Sequence, residues 1–93
     1  MNVTVQLNNE KHRYEATLNG QQAGLIDYTL DGNVLDLVHT EVGDAFEGQG
    51  VGGQLVQQTL DQIRAIGKQV RPTCPFVASW IEKNPDYADL VAN

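Results

Sequence analysis

The sequence predicts an α/β fold of the α+β kind: four strands as an antiparallel meander, then a helix, a fifth strand and a second helix. Three observations lead there. Apolar and polar residues alternate through the first half of the chain, Asn-Gly and Asp-Gly pairs punctuate that half, and from Gly50 the apolar period changes from two to that of a helix. With 93 residues, 41% of them apolar, there is material for one core, so residues 1–93 are read as a single domain.

The strands are expected at Val3 to Leu7, about Arg13 to Leu18, Ala23 to Leu30 and Val34 to Val42. Asn8-Asn9, Asn19-Gly20 and Asp31-Gly32 join them, and the latter two pairs tolerate the positive φ of tight hairpins. On the fourth strand Leu35, Leu37 and His39 fall on one face while Val34, Val38 and Val42 fall on the other, which predicts a central strand covered on both sides. The first strand leaves an edge at Val3 to Leu7 where a second copy can pair, so a monomer or a weak homodimer is expected.

A helical stripe follows: Val51, Leu55, Val56, Leu60, Ile63 and Ile66, with Gln54, Gln57, Gln58, Asp61, Gln62 and Arg64 opposite. Gly67 ends this helix, and Lys68 to Thr73 makes the fifth strand. Pro75 suits the first turn of the second helix, whose apolar side is Phe76, Val77, Trp80 and Ile81; Asn84-Pro85 stops it. The tail from Asp86 has no clear period.

Composition narrows the function. Twelve acidic against six basic side chains give a net charge of -6 with no cluster of Lys or Arg, which argues against nucleic acid as a partner. An acidic rim instead suits a cationic molecule such as an amine. One Cys and two separated His form no metal-ligand set, and the alternating start lacks the pattern of a signal peptide or membrane span. A cytoplasmic protein without metal or membrane contact is the expectation.

The richest chemical signal is Glu47-Gly48-Gln49-Gly50-Val51-Gly52-Gly53, where a strand ends and an amphipathic helix begins. Backbone amides there point outward unpaired, the missing side chains let a phosphate approach, and the helix dipole adds roughly half a positive charge. A loop needing glycine only for its shape is the competing reading. The stretch satisfies G-x-G-x-x-G, yet a dinucleotide site follows the first strand of a βαβ unit and wants an acidic residue about 20 positions on. Four antiparallel strands come first here, the next strand carries Gln69, Val70 and Arg71, and no Gly-Lys-Ser/Thr marks a P-loop.

Glu47 to Gly52 has the spacing of the pyrophosphate loop, Arg/Gln-x-x-Gly-x-Gly/Ala, of the GNAT superfamily of acetyl-CoA-dependent N-acetyltransferases, which the chain resembles. Glu47 departs from the pattern by standing where Arg or Gln is usual, leaving the backbone cradle without that side chain's help. The resemblance extends to a minimal branch of the superfamily through Asp36-Leu37-Val38-His39-Thr40, Pro72-Thr73-Cys74-Pro75-Phe76, Trp80-Ile81 and Asn84-Pro85. It implies a fold whose fourth and fifth strands splay apart, with the pantetheine arm of coenzyme A in the gap and the pyrophosphate on the helix start. It also implies cofactor contacts at Val42, at Glu47, Gly48, Gln49, Gly50, Val51, Gly52 and Gly53, and at Asn84, which a solvated helix end explains equally well.

Cys74 and His39 are the catalytic candidates. Cys74 lies at a helix start, where the dipole lowers a thiol pKa, although a lone Cys is also a common small core residue. The resemblance implies a thiol that faces the thioester, as nucleophile or as the acid for the departing CoA thiolate. His39 is a candidate base because an unperturbed imidazole titrates at about 6.5, and a half-buried sheet histidine is the plain alternative. Glu41 lies two residues on, and Tyr87 is a further candidate acid. The expected activity is acetyl transfer from acetyl-CoA to an amine, peptide or protein acceptor. A CoA-binding module without turnover is the rival, and a redox-sensing thiol protein a third possibility.

Overall fold

The computed structural model, which describes residues 2–93, arranges β1 (Val3–Asn8), β2 (Arg13–Leu18), β3 (Gln21–Asp31) and β4 (Val34–Val42) as the expected antiparallel meander. β5 (Gln69–Arg71) joins β4 in parallel, giving one mixed sheet in the order β1-β2-β3-β4-β5. Asn19 and Gly20 both take positive φ (54° and 78°), the geometry that turns β2 into β3.

One irregularity sets the orientation of half of β4. Asp27 pairs with His39 but Tyr28 pairs with Leu37, so Val38 is an extra residue without a partner on β3. Before this bulge Leu35 and Leu37 point into the core; after it Thr40, opposite the fully buried Ile26, points the same way, as does Val42. His39 and Glu41 therefore turn to the outer face, where their side chains are 55% and 61% exposed. This corrects the expectation that His39 shares a face with Leu35 and Leu37. It also removes the second covered face, since Val38 is exposed.

α1 (Val51–Ala65) lies across the inner face and buries Val51, Leu55, Val56, Thr59, Leu60 and Ile63. Ile66, assigned to that stripe from its spacing, is exposed because the helix has already ended before the turn at Gly67. The side-chain amides of Gln58 and Gln62 donate to the carbonyls of Val3 (2.8 Å) and Val5 (2.7 Å). The β1 edge is thus partly closed by the chain's own helix, against the expectation of an open pairing edge.

α2 (Pro75–Lys83) buries Val77 and Ile81 and packs Trp80 on the core, whereas Phe76, expected in the core, is largely exposed. The tail forms a 3-10 helix at Pro85–Leu90; Leu90 is buried and the amide of Ala92 donates to the carbonyl of Val70. Arg64 on α1 anchors this tail through two bonds to the Asp89 carboxylate, at 2.7 and 3.0 Å.

Candidate active site

β4 and β5 pair only at Val34 with Gln69, Leu35 with Val70 and Asp36 with Arg71. Beyond Asp36 they separate. The Thr73 hydroxyl bonds to the Asp36 carboxylate, the Cys74 amide donates to the Leu37 carbonyl at 2.8 Å, and α2 starts while β4 runs on to Val42. The length of β4 past Asp36 is left without a strand partner on this side.

The glycine-rich turn occupies the mouth of that opening. A single 3-10 turn at Asp44–Phe46 follows β4, Gly48 and Gly50 take positive φ (79° and 78°), and Gly50 caps α1 in the left-handed region without a side-chain hydrogen bond. Only the amide of Gln54 reaches back to Gly50, so those of Val51, Gly52 and Gly53 have no acceptor within the helix. They form, with the helix dipole, a cradle for an anion.

A cavity of about 450 Å³ opens on this turn. Val42, Glu47, Gly48, Gly50, Val51, Gly52 and Gly53 line it, joined by Thr40, Phe46 and Phe76. A Cβ on Gly52 would stand 2.7 Å from the Phe76 ring, so the space between the two helix starts exists because position 52 carries no side chain. The cavity continues from that anion cradle to Thr40 on the unpaired side of β4. A second cavity, about 680 Å³, shares Thr40, Val42 and Glu47 with the first and adds Glu41 and Asp44; no Lys, Arg or His lines either one.

Cys74 immediately precedes α2 in extended conformation and is 7% exposed. Its Sγ lies 3.4 Å from the Thr40 hydroxyl. Burial pushes the thiol pKa up, but hydrogen bonds from the Thr40 hydroxyl and from the amides of Val77, Phe76 and Thr40 outweigh it, so the net direction is down. Thr40 is the residue that periodicity does not single out: without the bulge at Val38 it would point away from Cys74.

Other candidates lie elsewhere. His39 sits behind β4 on the outer face with Nε2 3.3 Å from the Glu41 carboxylate, so no Cys-His pair forms. Gln49 folds its side-chain amide onto the Ala45 carbonyl (3.1 Å) and does not line the first cavity. Asn84 caps the far end of α2, its side-chain amide on the Trp80 carbonyl at 2.8 Å, and it is not among the residues around the cradle. The Tyr87 hydroxyl donates to Asp61 on α1 at 2.8 Å, a bond that raises its pKa, and Tyr87 lines neither cavity.

Comparison with known proteins agrees with this geometry. Residues 13–90 match the family model for GCN5-related N-acetyltransferases. The curated protein NATD1 of mouse is 27% identical over 85 residues, covering 89% of this chain and 77% of the relative; human NATD1 is equally similar, with 75% of its length covered. Among solved structures, a GCN5-like protein from Staphylococcus aureus superposes with a TM-score of 0.72 at 23% identity, over 97% of this chain and 88% of that one. The ribosomal-protein-S18-alanine N-acetyltransferase of Escherichia coli gives a TM-score of 0.65 at 17% identity, over 84% of this chain and 54% of its own. With the splayed β4 and β5, the glycine cradle on α1 and a family match over most of its length, the chain belongs to the GCN5-related N-acetyltransferases.

Proposed function

We propose that the chain transfers an acetyl group from acetyl-CoA to an amine acceptor. The observation that carries this reading is the cavity of about 450 Å³ that joins the glycine cradle to Thr40, whose hydroxyl touches the Cys74 thiol. Acetyl-CoA supplies a thioester-activated acyl group. The amides of the Gly48 to Gly53 turn hold its pyrophosphate, Val42 and Phe76 wall the arm, and the backbone of β4 past Leu37, which has no strand partner on this side, offers it strand-like hydrogen bonds. Gln49 contributes backbone rather than side chain, and Asn84 is left out of the contact set.

Cys74 and His39 divide the proton work across β4. Transfer forms an N–C bond, breaks the C–S bond, releases a proton from the acceptor nitrogen and leaves a thiolate to be protonated. Cys74 Sγ–H on the inner face, more acidic than an ordinary thiol, supplies the second proton. His39 Nε2, on the outer face 3.3 Å from the Glu41 carboxylate that lines the second cavity, takes the first from an amine held at that carboxylate. The carboxylates of Glu41, Asp44 and Glu47 around the second cavity favour a cationic acceptor.

The test is thermal unfolding with and without acetyl-CoA, followed by acetyl transfer to a panel of primary amines. Binding to the folded state alone must raise the melting temperature. Cys74→Ala and His39→Ala should each lower turnover about 10²-fold or more while retaining the thermal shift. An acetyl mass on the wild-type chain, absent from Cys74→Ala, would instead make the thiol the acyl carrier. No thermal shift at millimolar acetyl-CoA would sink the proposal.

A further inference from the structure

We propose that Thr40 is a positioning residue of this reaction, its hydroxyl linking the cavity that Thr40 lines to the Cys74 thiol behind it and supporting that sulfur as thiol and as thiolate alike; this rests on the acetyltransferase reading. The geometry behind it is specific. The bulge at Val38 rotates Thr40 onto the inner face, pairing with the fully buried Ile26 fixes its backbone, and its Oγ1 stands 3.4 Å from Cys74 Sγ. Thr40 lines both cavities and so stands between the cradle and the acidic chamber.

A hydroxyl suits this place because it both accepts and donates. It accepts from Sγ–H in the neutral thiol, then rotates to donate to the sulfur once the proton has left, and that second bond is stronger because its acceptor is charged. At 7% exposure Cys74 has little access to water that could substitute. The groups that act on the thiol come from α2, the amides of Phe76 and Val77, and from β4, the amide and hydroxyl of Thr40; none is charged, and Thr40 provides the one side chain among them. Removing that hydroxyl leaves backbone donors alone to support the thiolate.

The experiment is the pH dependence of Cys74 alkylation by iodoacetamide, which needs neither cofactor nor acceptor, in wild type, Thr40→Ser, Thr40→Val and Thr40→Ala. The serine variant should keep the wild-type profile. Thr40→Val, similar in volume without the hydroxyl, should move the midpoint to higher pH and slow alkylation at neutral pH about tenfold. In turnover assays the same variant should lose kcat with little change in KM for acetyl-CoA. If circular dichroism shows Thr40→Val unfolded, Thr40→Ala carries the comparison. Profiles that coincide in folded variants would overturn the role of Thr40 even where acetyl-CoA still raises the melting temperature. A displaced profile without any acetyl-CoA thermal shift would sink the acetyltransferase reading and leave only the thiol contact.

Discussion

Glu47 is the residue of the cradle that runs against its chemistry. Glu47 lines both cavities and makes no ion pair among the described residues, so it brings an unneutralised carboxylate to the loop where a diphosphate would rest. Like charges at this range oppose binding, more strongly at low salt. Glu47→Gln should tighten acetyl-CoA binding several-fold, roughly 1 kcal/mol, with the gain shrinking as salt rises. Calorimetry at two ionic strengths checks this, and unchanged affinity would mean that the carboxylate turns away from the ligand. At this scale the glycines were legible because only glycine serves both the positive φ of positions 48 and 50 and the close approach of Phe76 at position 52, and Cys74 because a helix-starting proline follows it. Thr40 was not, since its orientation depends on one unpaired residue that a period of two cannot register.

The relation of α1 to β1 is where an element does more than its pattern announces. Gln58 and Gln62 read as part of a solvated helix face, yet their amides reach round to the carbonyls of Val3 and Val5. They shield an edge strand that would otherwise invite pairing. Replacing both with alanine should cost about 1 kcal/mol per lost bond, seen as a lower denaturation midpoint, and should produce dimers or larger species in sedimentation at concentrations where the wild type has none. An unchanged sedimentation profile would show that the edge is protected by other means. The strand and helix order was readable because hairpin dipeptides and apolar periods are local signals. The shortness of β5 and the docking of the tail were not, because Val91 finds Val70 only after the sheet exists.

For the whole molecule, one inner face of the sheet and one side of α1 provide most of the buried surface, and two tyrosines tie that core to pH. Tyr14 is nearly fully buried and Tyr28 lies 5.7 Å from it, ring centre to ring centre; burial, and for Tyr14 also its neighbour, raises both pKa values. A raised folded pKa means that the folded state favours the neutral phenol. That contribution is fully present below the unfolded value of about 10 and is lost as pH rises through the folded values. The tyrosine contribution should therefore be intact from neutral pH to about 9, the denaturation midpoint should fall above 10, and Tyr14→Phe should flatten the fall. A Tyr14→Phe curve that coincides with wild type would remove this tyrosine from the alkaline transition. The family resemblance was visible across the chain because its three motifs occur in order, while the side of the sheet each residue serves needed the fold. Trp80 closes the back of the cradle, its indole nitrogen 3.7 Å from where a Gly53 Cβ would lie and its ring edge-on to Tyr87. As the only tryptophan of the chain, it makes the protein's intrinsic fluorescence a single-site signal, so ligand entry at the start of α1 can be followed optically without a label.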